Sequence, residues 1–299
     1  MHSNCRAFAA VLGALLGGVA LADDPKADVE RQKTTIAANL KKAGLENLAF
    51  AETNDLLVYT AVPEAKSKAF AEAVQKVYAT ARKELKVEEK DKPWPGKLAV
   101  IAIAEPKQFG NYVRVVEQRR PEKGVNSSTN IRSDTPYVID SVDLGEKLNE
   151  AELLADVATM VAAAVLNKKA GTGVGTARLP EWVQVGFGRS MIARSGDPAK
   201  LAAFRARYKA AVLGTKKGTP PRLYDVWSGA KTKDSDLVAA SFVEYLLYGP
   251  EPAKFLQFAQ AFKPTDNMPA PGVEGVLTML EWTTDGLEPT WRAWVSKVK

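Results

Sequence analysis

The spacing of hydrophobic positions changes near residue 141. Before it, helical and strand-like patterns alternate. Asp28 to Ala43 carries Val29, Ile36, Leu40 and Ala43 among charges, which predicts an amphipathic helix closed by Gly44. Leu48-Ala49-Phe50 and Leu56-Leu57-Val58-Tyr59-Thr60 predict two short strands on either side of the turn Thr53-Asn54-Asp55. Glu64 to Leu85, entered through Pro63, puts Phe70, Val74, Val77, Tyr78 and Ala81 on one helical stripe. Leu98 to Ala104 has no polar position, so a central strand is expected there. A third helix follows Pro106, with Phe109, Tyr112, Val113 and Val116 inward. Arg119 to Thr135 is polar and rich in Gly, Asn, Ser and Pro, the composition of a long surface loop. Pro136 to Asp140 predicts a short strand whose leading proline suits a sheet edge.

After that strand only helical patterns remain. Glu152 to Leu166 is apolar on nearly every face, and such a helix must be buried on nearly every face. A loop, Gly171-Thr172-Gly173-Val174-Gly175, separates it from a helix opened by Leu179-Pro180 and running to Arg194. Further helices are expected over Pro198–Leu213, Pro221–Trp227, Leu237–Tyr248, Pro252–Phe262, Val273–Trp282 and Pro289–Val298. The order of elements predicts an α+β fold. A small mixed sheet with an edge strand packs on a buried central helix, and an all-α C-terminal half follows.

Composition adds an address. His2 and Arg6 precede an apolar run, Ala7 to Leu21, and Ala20-Leu21-Ala22 fits a small-x-small cleavage site. This is the pattern of a secretory signal peptide over residues 1–22, and export to the periplasm or beyond the cell is expected. The run is short for a spanning helix, which needs about 20 residues, and no later segment is long and apolar enough to span. The remaining chain is expected to divide into a sheet-bearing part, 23–141, and a helical part, 142–299.

Cleavage would also remove chemistry. The only histidine is His2 and the only cysteine is Cys5. A mature chain from residue 23 has no imidazole and no thiol. That rules out zinc held by Cys or His, a Ser-His-Asp triad, a Cys-His dyad and disulfides. Acid–base work would fall to carboxylates, lysine, tyrosine or hydroxyls. Removing Arg6 takes the basic count from 41 to 40 against 35 acidic residues, a net +5. The basic doublets, such as Lys41-Lys42 and Arg119-Arg120, are scattered and lack aromatic interleaving, so no nucleic-acid partner is expected.

Three further patterns bear on chemistry. Glu152 and Asp156 lie one turn apart and Glu181 opens the next helix, so a carboxylate pair is available for hydrolysis. The same residues sit in first turns, where negative charge favours the helix dipole. The glycine loop follows a helix and lacks the context of a nucleotide-binding fingerprint. Ser228-Gly229-Ala230-Lys231 fits Ser-x-x-Lys without a companion motif.

Leu179-Pro180-Glu181-Trp182-Val183-Gln184-Val185-Gly186-Phe187-Gly188 resembles the Leu-Pro-x-Trp-Leu-x-Glu-Gly-Leu-Ala segment of peptidase MA-like, gluzincin-type metallopeptidases. In that family a mixed sheet with an edge strand precedes a buried helix bearing His-Glu-x-x-His, and the later glutamate completes the zinc site. The resemblance places Val185 at the zinc glutamate. With Leu153 to Thr159 set on the histidine helix, Ala155 and Thr159 take the histidine positions and Asp156 the general base. A register shifted by one puts Asp156 and Met160 there, and neither register supplies ligands. The resemblance therefore implies a degenerate member that holds no zinc or other cofactor and is not an enzyme. A retained cleft lined by Glu152, Met160, Glu181, Trp182 and Tyr137 would bind a peptide or protein partner. A metal-independent hydrolase using cleft carboxylates, or a purely structural envelope protein, are the other readings.

Overall fold

The computed structural model describes residues 25–88, 90–142, 149–173, 179–214, 220–230, 234–264 and 270–299. The expected leader, Val174 and Gly175 of the glycine loop, and Lys231 of Ser-x-x-Lys lie outside these residues. The elements run α1 (Pro25–Ala43), β1 (Ala49–Glu52), β2 (Leu56–Thr60), α2 (Glu64–Glu84), β3 (Leu98–Ile103), α3 (Pro106–Val115), β4 (Ser127–Asn130) and β5 (Tyr137–Ser141). Then come α4 (Glu150–Ala170), α5 (Glu181–Ser195), α6 (Pro198–Leu213), α7 (Leu223–Trp227), α8 (Ser235–Tyr248), α9 (Ala253–Gln260), α10 (Val273–Met279) and α11 (Thr284–Lys297). The fold is α+β, with a helical C-terminal half. No helix of the described residues is long and apolar enough to cross a membrane.

The five strands form one mixed sheet in the order β1-β2-β3-β5-β4. The interior strands β2, β3 and β5 are parallel, and β1 and β4 close the two edges antiparallel. This corrects the expected edge. Tyr137–Ser141 is internal, because the polar stretch read as loop contributes β4 beside it. Pro136 stays just outside the strand, where its missing N–H breaks no ladder, and its carbonyl accepts from Ala99 N at 2.9 Å.

Alternation along the strands sorts their side chains to two faces. Leu57, Tyr59, Ala99, Ile101, Tyr137 and Ile139 pack with Ile36 and Leu40 of α1 and Phe109, Tyr112 and Val113 of α3. Leu56, Val58, Leu98, Val100, Ala102 and Val138 face α2 and α4 in the larger core. That core continues without a break into the helical half, through Trp182, Phe187, Phe242, Phe258 and Trp291 to Val295.

The helix α4 starts on Asn149, whose side chain accepts from Glu152 N, and stops at Gly171 in the left-handed conformation at φ 76°. Its middle, Val161 to Asn167, is buried on every face, as the apolar pattern requires. Each of Leu153, Val157, Val161, Val165 and Leu166 contributes about 1.5–3 kcal/mol by leaving water. The helix α5 is sandwiched between α4 and α8. Helix α11 begins at Thr284, earlier than the sequence pattern implies, with Thr283 capping it and Pro289 inside it.

Candidate functional site

The β4 edge of the sheet opens onto a groove. In an antiparallel ladder, residues of hydrogen-bonded pairs aim their N–H and C=O at the partner, and the residues between them aim away. Ser141 N donates to Asn126 O at 2.9 Å, and the register continues with Ser127 opposite Asp140, Ser128 opposite Ile139 and Thr129 opposite Val138. Ser128 and Asn130 therefore bond β5, while Ser127 and Thr129 direct their backbone groups outward. Among the described residues no strand pairs with that edge.

The groove beside β4 encloses about 530 Å³. One wall is Gly124 to Thr129. The other is Thr159, Met160, Ala163 and Asn167 of α4 with Glu181, Gln184 and Val185 of α5; Ile131 and Leu179 also line it. Its amides are occupied. Asn167 Nδ2 donates to Gln184 Oε1 and to Ala163 O, each at 2.9 Å, and Thr172 Oγ1 donates to Asn167 Oδ1 at 2.8 Å. Gln184 Nε2 donates to Leu179 O at 2.7 Å. These bonds tie the two helices to each other and to Thr172 and Leu179, which leaves Val125, Ile131, Met160, Ala163, Leu179 and Val185 as the groove's apolar surface.

The antiparallel helices α4 and α5 touch at Asn167–Gln184, Thr159–Gly188 and Asp156–Arg189. Val185 lies between the first two contacts. It shares the groove with Thr159, Met160 and Ala163, whereas Ala155 and Asp156 are not among its lining residues. Ala155 is half-buried, and its carbonyl accepts from Thr159 Oγ1 at 2.7 Å. Asp156 accepts from Arg189 Nη2 at 3.0 Å, and Asp236 of α8 stands 3.7 Å from the same nitrogen. Glu152 is exposed at the capped start of α4. Glu181 and Met160 border the groove, and Trp182 borders a second, smaller pocket behind Val185. Tyr137 belongs to the opposite face of the sheet, correcting its assignment to the cleft. Its hydroxyl donates to Glu117 Oε1 at 2.9 Å, and its ring meets Tyr112 edge-on at 5.7 Å.

Beside the groove's end lies a carboxyl the sequence pattern passed over. Asp140 of β5 is buried on the α4 side, opposite Ser127, and its Oδ2 has no hydrogen-bond partner. Desolvation, then the nearby Asp156 carboxylate, push it up to about 7. Desolvation also raises Asp156, against the opposing pull of Arg189. The clue was a charge inside the apolar run Tyr137-Val138-Ile139-Asp140. The strand β4 left a weaker trace: Ser127-Ser128-Thr129-Asn130 has one β-branched residue and no apolar alternation.

No group of three or more His, Cys, Asp or Glu side chains able to hold a metal occurs among the described residues. Compared with models of known families, with curated proteins and with solved structures, the chain matches none of them.

Proposed function

We propose that this chain is an exported, non-catalytic relative of gluzincin-type metallopeptidases that binds an extended peptide segment of a partner protein along β4. The observation that carries the reading is the outward-facing backbone of Ser127 and Thr129 beside a groove with an apolar surface. A peptide added there gains main-chain hydrogen bonds, and its alternate side chains enter the groove. The resemblance of Leu179 to Gly188 to the peptidase segment supports the same reading. With Val185 at the zinc glutamate, the groove residues at His-Glu-x-x-His spacing are Thr159, Met160 and Ala163, one turn beyond Ala155, Asp156 and Thr159. Neither set offers a zinc ligand pair, and an apolar Val185 avoids the cost of an unpaired carboxylate in a cleft.

The test is selection of displayed peptides on the mature chain, followed by hydrogen exchange and mass analysis. Selected peptides should protect the outward-facing Ser127 and Thr129 amides and remain uncut. Thr129→Pro removes an outward donor but no bond to β5, so it should abolish binding with the fold intact. Peptides that bind Thr129→Pro as well as the wild type, or that are hydrolysed, would overturn the proposal.

A further inference from the structure

We infer that the groove has a side pocket that takes one lysine or arginine side chain of the bound peptide; this rests on the reading above. The pocket lies between α5, α7 and α8 and shares Glu181 and Val185 with the groove. These two are one turn apart on α5, so they form the ridge between the two spaces. A peptide lying on β4 can pass a single long side chain over that ridge.

The pocket's depth and chemistry select the side chain. It encloses about 60 Å³. At roughly 10–15 Å³ for each water-sized group, that holds about four to six non-hydrogen atoms in file, the size of a lysine or arginine side chain beyond its Cβ. The buried floor and walls are apolar, with the ring of Trp182 and the side chain of Val238 among them. The rim is acidic. Glu181 is exposed, the Asp236 side chain is 57% exposed, and half-buried Asp225 accepts from Arg222 N at 2.8 Å. Every charged residue that lines the pocket, among those described, is a carboxylate, although the whole chain carries a net +6. Arg189, beside this rim, is divided between Asp156 and Asp236. An apolar bore under an acidic rim fits an aliphatic stem with a cationic tip, which buries its methylenes and leaves its charge at the mouth.

The probes are n-pentylamine, 1-pentanol and pentanoate, titrated into isotope-labelled mature chain and followed by amide shifts. They need no peptide, so their outcome is independent of whether anything binds β4. The amine should perturb Val185, Asp225 and Asp236 and bind about tenfold more tightly than the alcohol, with pentanoate weaker still. The double variant Asp225→Asn, Asp236→Asn, which leaves only Glu181 on the rim, should remove most of the amine's advantage over the alcohol. Asparagine can still accept from Arg222 N, so the start of α7 is kept. Equal affinity for amine and alcohol, an amine affinity unchanged in the double variant, or shifts confined to other residues would each overturn the inference. A further arm joins the two proposals: peptides selected on the wild type should carry Lys or Arg at one position, and most of that preference should vanish on the double variant.

Discussion

Gly188 of α5 lies against Thr159 of α4 with no room for a side chain between them. A Cβ on Gly188 would stand 2.6 Å from Thr159 Cγ2 and 2.7 Å from Thr159 Cα. Two residues earlier, a Cβ on Gly186 would stand 2.8 Å from the carbonyl carbon and oxygen of Ala239 in α8. The helix α5 is therefore held between two neighbours by its glycines, and that closeness brings Val185 to the groove. In both places the obstacle includes backbone, so a rotamer change cannot relieve it. Gly188→Ala and Gly186→Ala should each destabilise the fold by about 1–3 kcal/mol, despite the better helix propensity of alanine. Urea midpoints equal to or above wild type would show that the helices can part at no cost.

Asp140 makes stability depend on pH. Its carboxyl titrates near 3.8 when solvated and at about 7 in the fold, so the folded chain holds this proton more tightly than the unfolded one. The contribution is fully present below about pH 4 and is lost as pH rises through about 7. Each tenfold gain in proton affinity is worth about 1.4 kcal/mol, so the loss is on the order of 4 kcal/mol. Asp156, also raised, acts in the same direction. Asp140→Asn, which cannot ionise, should match the wild type near pH 3 and exceed it by about 4 kcal/mol at pH 8. Urea unfolding at both values measures this, and a pH slope unchanged in the variant would place the titrating group elsewhere.

The elements easiest to read from sequence were those whose apolar residues keep one period. β2, β3 and α2 fall within one residue of Leu56–Thr60, Leu98–Ala104 and Glu64–Leu85, which predict them, and the apolar stretch Glu152–Leu166 lies inside α4. β4 escaped because an edge strand buries little, and its serines, threonine and asparagine have the composition of a loop. That omission made β5 look like an edge and drew Tyr137 into the cleft. Which α4 residues face Val185 was also hidden, since helical spacing defines a face and not the height at which a neighbour crosses it. The contacts Asn167–Gln184 and Thr159–Gly188 set that height.

Glu244 is a buried charge that its surroundings nearly complete. It lies on α8 with no exposed surface; Arg194 Nε donates to Oε1 at 2.8 Å, and Arg205 Nε and the Tyr208 hydroxyl each donate to Oε2 at 3.1 Å. The Arg194 guanidinium also stacks 3.5 Å from the centre of the Tyr248 ring. Removing the carboxylate strands two arginines, both of them mostly buried. Glu244→Ala should cost about 3–5 kcal/mol, and Glu244→Gln, which keeps the volume and one acceptor, less than that. Thermal unfolding of both variants decides it; an alanine variant as stable as wild type would mean that the arginines re-solvate freely.

The position of Val185 makes the peptidase resemblance testable by construction. If the groove descends from a zinc site, restoring ligands at Thr159, Ala163 and Val185 should restore metal binding, because those residues share one groove and the first two stand one turn apart on α4. The variant Thr159→His, Met160→Glu, Ala163→His, Val185→Glu should then take up about one zinc per chain. The variant Ala155→His, Asp156→Glu, Thr159→His, Val185→Glu should not. Its first histidine lies one turn, about 5.4 Å, farther from Val185, and its altered Asp156 is the partner of Arg189. Metal content after dialysis, with circular dichroism to confirm folding, separates the two. Zinc in the second variant alone would move the register back by one turn. A folded first variant without zinc would remove the resemblance as support for the proposed function, leaving β4 and its groove to stand on their own geometry.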